Sequence, residues 1–443
     1  MTMTEVLDVH VHPSTSKQLW GHHLDKPTAG SRTEVYSTYI EGWVLGRDGV
    51  DVIAVHVVHC GVILQRTPLN IRRPDVASKY PEVASAEHSG FRTAVSLLPI
   101  EPGVRQVLLV QAELCDGSCI DIGAITVRRR AIRPRFQPKL QPLLITTLGR
   151  SGSTWLTQLI GEHPQVVSYE PFKYEPRVTS YWMEVLRTLS EPASYVRSIS
   201  TEVHQDNRYW WTGDGQTSVL PSLESEDVAM HRWLGREAIE ELVSLCQSRV
   251  EAFYDQVIST QGRAEAAYFV ERVYGSSPFA EKMMWELYSG VREIILVRDL
   301  RDVICSMFAF SKKTGTPILF GYEQADDDRQ FVGQLGNHYR HLLSIWQERM
   351  DTAHLLRYED LVSFPQDEVT SLLKYLDIGS DQDTVDCMLQ AAAERAAKHL
   401  NRHQTATSQT ASIGRWQQDM DPNLQVVCLE TFGDVLEEFG YAK

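Results

Sequence analysis

The stretch Leu143–Trp155, Leu-Leu-Ile-Thr-Thr-Leu-Gly-Arg-Ser-Gly-Ser-Thr-Trp, constrains what this chain can fold into more than any other. It opens on apolar and β-branched residues behind Pro142, which predicts a short buried strand, although period alone leaves a buried helical segment open. Gly149 and Gly152 then permit a tight turn whose backbone N–H groups can approach a ligand closely. Helical spacing follows, with Trp155, Leu156, Leu159 and Ile160 on one face and Ser153 and Thr154 at the helix start. The first amides of a helix are unpaired and carry partial positive charge, so strand, loop and helix N-terminus together form an anion site. Arg150 adds a fixed cation, and Ser151, Ser153 and Thr154 add hydroxyl donors. A phosphate suits such a site.

A nucleotide triphosphatase loop would read G-x-x-x-x-G-K-[ST], with a lysine for the β/γ-phosphates and a hydroxyl on Mg²⁺. The lysine is missing here, which argues against a P-loop kinase but keeps it as the alternative. A second stretch, Glu293–Ser306, repeats the plan. Ile294–Val297 is a continuous apolar run, as expected of a strand covered on both faces. Arg298 stands at its end, and Ser306 follows eight residues later on a helix expected to open at Asp302. At that spacing a guanidinium and a hydroxyl can converge on one phosphate. Either residue alone would suggest a surface ion pair.

Gly149-Arg-Ser-Gly-Ser-Thr-Trp-Leu156 resembles the 5′-phosphosulfate loop of sulfotransferases that use 3′-phosphoadenosine 5′-phosphosulfate (PAPS). Arg298 with Ser306 resembles that family's 3′-phosphate site. The likeness runs from Leu143 to the C-terminus and implies an enzyme with PAPS as sulfonate donor and no metal. The fold it implies is α/β, a P-loop-like parallel sheet flanked by helices. The residues it marks for the nucleotide are Gly149, Arg150, Ser151, Gly152, Ser153, Thr154, Trp155, Arg298 and Ser306. Tyr358 is expected either to pack on adenine or to serve as core.

Three residues are expected to be catalytic: Glu170, Arg150 and Arg272. Arg150 suits the leaving 5′-phosphate. His163-Pro-Gln-Val-Val-Ser-Tyr-Glu170-Pro-Phe resembles the segment H-P-x-V…E-P of the carbohydrate and tyrosyl-protein branches, which implies Glu170 as base. The interval is one residue shorter than in the animal carbohydrate enzymes, and an N-cap or ion-pair role for Glu170 stays open. His163 and His204 are the next candidates. Glu271-Arg272 stands where relatives carry Glu-Lys, the lysine reaching the sulfonate. Arginine keeps the charge but not the point-cation geometry, so a structural ion pair competes. The segment His403–Trp416 resembles the one that folds over the nucleotide. Gln409-Thr410-Ala411 replace the Arg-Lys-Gly triplet of cytosolic aryl sulfotransferases, leaving Ser412 and Arg415 as candidate contacts.

The rest of the 443 residues sorts into four parts: a leader over 1–32, an all-β sandwich over 33–130, a basic proline-rich linker over 131–142 and the sulfotransferase domain over 143–443. Short β-rich runs such as Phe91–Leu98 and Gln106–Ala112, separated by Arg47-Asp48-Gly49, Glu101-Pro102-Gly103 and Cys115-Asp116-Gly117, predict the sandwich. Residues 1–139 carry 16 Lys and Arg against 14 Asp and Glu, so +2, and the remainder 27 against 44, so −17, which gives the net charge of −15. An acidic catalytic half argues against nucleic acid as partner. Seven scattered cysteines suggest reduced thiols and a cytoplasmic location, and no apolar run reaches the ~20 residues of a membrane span. The acceptor is expected to be a hydroxyl on a glycan or small molecule, in a pocket built from Phe172–Trp211, where Tyr174, Tyr181, Trp182, Tyr209, Trp210 and Trp211 could stack on rings or be ordinary core. A non-catalytic nucleotide- or glycan-binding protein is the remaining alternative, and it rests on the arginine at 272.

Overall fold

The computed structural model describes residues 2–13, 17–47, 49–170, 176–190, 228–273, 278–315, 318, 322, 325, 327–399 and 404–442. They form two compact units, each threaded by more than one segment of chain. The first takes Met1–Gln137, Tyr181–Arg249 and Ser277–Leu287; the second takes Pro138–Ser180, Val250–Ser276 and Tyr288–Lys443.

In the first unit the strands β1 (Thr4–Val11), β2 (Leu19–Lys26), β3 (Arg32–Thr33), β4 (Ser37–Gly46), β5 (Val52–His59), β6 (Val62–Pro68), β7 (Gly90–Ser96), β8 (Gln106–Leu114) and β9 (Cys119–Arg129) make two antiparallel sheets. The larger runs β3-β1-β9-β8-β5-β6 and the smaller β2-β4-β7. Side chains alternate along a strand, and β8 buries Leu108, Val110, Ala112 and Leu114 on one face. These meet Val55 and Val57 of the same sheet and Ile40, Val44 and Phe91 of the other in one core. The sandwich is as expected. Its three turn glycines, Gly49, Gly103 and Gly117, take φ of 85°, 82° and 82°, where a side chain would be strained.

One expectation fails here. The leader over 1–32 is not a leader: β1 pairs with β9, and β2 with β4. Its period is hidden because the register shifts between Val6 and Asp8 and because the exposed positions carry Asp8 and His10. Two later segments, Tyr181–Arg249 and Ser277–Leu287, belong with the sandwich in the first unit. Arg129 gives a reason. It is 1% exposed, donates to the carbonyls of Leu98, Ile100 and Arg130, and binds Glu286 at 2.8 Å. Glu286 sits on the helix Pro278–Leu287 and also takes the N–H of Ile132 at 2.8 Å. A buried arginine needs a carboxylate, and the nearest one in space is far along the chain.

The second unit is built on β10 (Gln141–Thr147), β11 (Val166–Val167), β12 (Tyr268–Arg272), β13 (Arg292–Val297) and β14 (His354–Arg357), in the order β11-β12-β10-β13-β14. All four pairings are parallel. Successive residues of β13 go to opposite faces: Ile294 and Leu296 pack with Leu156, Leu372 and Val385, whereas Ile295 and Val297 pack with Ile304, Phe331 and Phe432. That is why the run reads as unbroken apolar sequence. Helices Ser153–Ile160, Pro365–Tyr375 and Gln382–His399 supply the first face, and Leu300–Thr314, Asp328–Arg349 and Pro422–Glu438 the second. Parallel order brings the carboxyl ends of β10, β12, β13 and β14 to one edge, the usual ligand edge of such sheets.

Candidate active site

The loop after β10 turns on two left-handed residues, Arg150 with φ 71° and Gly152 with φ 93°. Gly149, expected to share this role, keeps ordinary φ. At Gly152 a Cβ would stand 2.6 Å from Cδ2 of Tyr358, so glycine is required by space as well as by φ. Arg150 has no such excuse and carries strain of ~1–3 kcal/mol. Its surroundings hold it: its carbonyl accepts from Arg298 at 3.1 Å, its Nε donates to Ser306 Oγ at 3.3 Å, and its guanidinium lies 4.3 Å from the centre of the Phe310 ring.

Arg298 leaves the tip of β13 and is 5% exposed. It donates to the carbonyls of Arg150 and Ser412, the latter at 2.7 Å, and its guanidinium lies 4.5 Å from the Tyr358 ring centre. Its buried Nε has no hydrogen-bond partner among the described residues. The helix behind it opens at Asp299, whose side chain accepts from Arg301 N at 3.0 Å, and not at Asp302. Asp302 lies one turn further in, fully buried. It accepts the N–H groups of Gly414 at 2.7 Å and Trp416 at 2.9 Å, so it fixes the closing segment. Burial pushes its carboxyl up to about 6, against the pull of those two amides and of Arg298.

These elements enclose one cavity. Its lining includes Gly149, Arg150, Gly152, Ser153, Thr154, Trp155, Arg272, Arg298, Ser306 and Tyr358, which are the sequence-predicted nucleotide residues with one exception. The exception is Ser151, buried at 2% exposure behind the loop. Arg272, at the end of β12, donates to Ser153 Oγ at 3.2 Å and to Thr154 Oγ1 at 3.4 Å. Its neighbour Glu271 turns the other way and takes Thr179 N, Thr179 Oγ1 and Tyr254 Oη. Tyr358 bonds Ser412 Oγ at 3.1 Å and meets Trp155 edge-on, so it is both wall and core. Among the described residues three arginines and no carboxylate line the cavity, in a chain of net charge −15.

The remaining wall is Gln404, Thr405, Ala406, Ser408, Gln409 and Ser412. All of them lie in His403–Trp416, the segment expected to fold over the nucleotide, although of these residues only Ser412 was expected as a contact. Arg415 does not line the cavity; it bonds Asp419 at 2.7 Å and Thr405 at 3.1 Å. Glu170 follows β11 and accepts from Gln158 Nε2 at 3.1 Å, outside the cavity lining. His163 is committed elsewhere: Nε2 donates to Gly379 O at 2.9 Å and Nδ1 accepts from Gln165 N at 3.1 Å, while burial lowers its pKa. Phe172, Tyr174, His204, Tyr209, Trp210, Trp211 and His403 lie outside the described residues. Of the expected acceptor aromatics, Tyr181 and Trp182 remain, on the helix Val178–Ser190, with Tyr181 63% exposed.

The fold is that of an α/β protein with a parallel sheet and an arginine-lined cavity at the carboxyl ends of its strands. Residues 140–440 match the sulfotransferase domain family, and the chain belongs to that family. Among solved structures it is similar to the sulfotransferase domain from the curacin biosynthetic pathway, with 16% identity over 69% of this chain and 99% of that one and a TM-score of 0.37. Sulfotransferase STF9 from Mycobacterium avium gives 16% identity, 69% and 78% coverage and a TM-score of 0.35. Mouse sulfotransferase SULT7A1 complexed with PAP gives 12% identity, 68% and 85% coverage and a TM-score of 0.36. No curated protein matches the chain. Among the described residues, no helix is long and apolar enough to cross a membrane.

Proposed function

We propose that this sulfotransferase uses PAPS as donor and moves its sulfonate to an acceptor hydroxyl on a glycan or small metabolite. The observation that carries the reading is the cavity's donor set: its lining brings together three arginines, several hydroxyls and a helix N-terminus. A nucleotide with phosphates at both ends of its ribose fits that set. Arg150 and the Gly149–Thr154 loop are assigned to the 5′-phosphate, Arg298 and Ser306 to the 3′-phosphate, and Tyr358 with Trp155 to the base.

Transfer breaks the bond from sulfur to a 5′-phosphate oxygen, forms one to the acceptor oxygen and releases the acceptor proton. Arg150 stabilises charge growing on the departing phosphate. Arg272, oriented by Ser153 and Thr154, supplies a second cation beside the sulfonate. Glu170 is assigned the acceptor proton; it follows β11, and its carboxylate is held by Gln158 of the helix that starts at the phosphate loop. Seven free thiols suit a cytoplasmic site of action.

The test combines labelled PAPS, a panel of glycans, phenols and alcohols, and the variant Glu170→Gln. The wild type should sulfate at least one acceptor, and it should not transfer phosphate from ATP with Mg²⁺. In the variant, turnover should fall ~10²–10⁴-fold, the usual contribution of a positioned base, with affinity for adenosine 3′,5′-bisphosphate unchanged. Full kcat in a folded variant removes Glu170 from the mechanism. Nucleotide binding without product from any acceptor would favour a binding module.

A further inference from the structure

The cavity wall holds a chain of hydrogen bonds in which Thr405, which the family likeness does not single out, links residues that it does. Arg150 Nε donates to Ser306 Oγ at 3.3 Å. Ser306 Oγ and Thr405 Oγ1 are 3.1 Å apart. Arg415, from behind the wall, donates through one amino group to Thr405 Oγ1 and to Thr405 O, each at 3.1 Å. Asp419 fixes Arg415 from the far side at 2.7 Å. The order is thus Arg150, Ser306, Thr405, Arg415.

Arginine has donors and no acceptors, so both ends of this chain feed hydrogens into the two hydroxyl oxygens. The pair owns two hydrogens, and one of them is used between the two oxygens. The other is left over, and both hydroxyls line the cavity. Of the four lone pairs on the two oxygens, Arg150, Arg415 and the bond between the oxygens take three, so among the described residues one hydrogen and one lone pair remain. Hydrogen bonds in a row also polarise one another, which sharpens the last donor. Such a wall welcomes an anion.

We propose that Thr405 and Arg415 are positioning residues for the 3′-phosphate: Arg415, by donating to Thr405, holds the Ser306–Thr405 pair so that its spare hydrogen can be given to the anion. This rests on the nucleotide reading above and explains how the wall manages with Gln409-Thr410-Ala411, which brings no cation. Arg415 supplies the charge at one remove. It stays 11% exposed and never enters the cavity lining.

Calorimetry on the full chain with adenosine 3′,5′-bisphosphate and with adenosine 5′-monophosphate tests this, because only the first has a 3′-phosphate. Thr405→Val keeps the shape and loses the hydroxyl, whereas Thr405→Ser keeps the hydroxyl and loses the methyl. Thr405→Val should weaken the bisphosphate about tenfold, the scale of one hydrogen bond to a charged group, and leave the monophosphate within about twofold. Thr405→Ser should restore bisphosphate affinity. In the Ser306→Ala background, Thr405→Val should add little, since the two hydroxyls act as one unit. Equal losses for both nucleotides, no loss for either, or failure of Thr405→Ser to restore binding would each overturn the relay. A wild-type chain that binds no bisphosphate overturns the sulfotransfer reading, and the relay with it.

Discussion

Two buried arginines, one in each unit, differ in how their charge is met. Arg129 of the sandwich is 1% exposed, and its guanidinium is closed by three carbonyls and by both oxygens of Glu286. Arg298 of the parallel unit is 5% exposed, meets two carbonyls and a ring face, and keeps an Nε without partner among the described residues. A buried cation that already has its carboxylate is part of the scaffold. One whose hydrogen bonds go to carbonyls, with carboxylates such as Asp302 acting only through space, keeps a donor for an anion from outside. The difference separates structure from function at two places that look alike in sequence, each an arginine at the end of a β-run.

The comparison can be broken first at the scaffold. Removing the carboxylate in Glu286→Ala leaves Arg129 buried and unpaired, and should cost about 3–5 kcal/mol of stability. Denaturant unfolding measures it, and a loss below about 1 kcal/mol would mean that Arg129 finds water instead. A fragment starting at Leu143 leaves Glu286 without Arg129 in the same way, so it should be poorly soluble or unfolded.

Asp302 sharpens the comparison with the opposite charge. Its carboxyl lies at about 6 because burial outweighs the amides of Gly414 and Trp416. A folded value above the unfolded one means that its contribution to stability is complete below the ordinary value of 3.8 and lost as pH rises through about 6. Against wild type, Asp302→Asn should therefore gain relative stability between those two pH values, by at most about 3 kcal/mol. Parallel melting profiles across that window would contradict the buried-carboxylate account. Arg298 and Asp299 are the charged groups acting on Asp302 most directly, so their variants should shift the window.

Legibility followed the range of the forces. The loop at Gly149–Thr154 and the run Ile294–Val297 could be read because local turn chemistry and two-sided burial write themselves into adjacent residues. β1 could not, since a register shift after Val6 breaks its alternation. The later segments of the sandwich unit stayed hidden because Arg129 and Glu286 are 157 positions apart. Helix entry was misread at Asp302 for a related reason: Asp299 and Asp302 are both good caps by type, and only the fold shows which one faces an amide and which one faces the closing segment. The wall from Gln404 to Ser412 was legible as a segment, by its likeness to the family's closing stretch, but not residue by residue, since Thr405 and Gln404 carry no periodic signal and Arg415 reaches the wall only through Thr405.

The central claim is that Arg298 awaits a nucleotide phosphate while Arg129 does not. The direct measurement is thermal melting of wild type and Arg298→Ala, each with and without adenosine 3′,5′-bisphosphate. A ligand at a hundred times its Kd stabilises the folded state by about 2.7 kcal/mol, which for wild type should appear as a clear rise in Tm. Arg298→Ala should melt near the wild-type temperature without ligand and show little or no rise with it. Equal ligand-induced rises in both proteins, or a collapse of Arg298→Ala in the absence of ligand, would contradict the account.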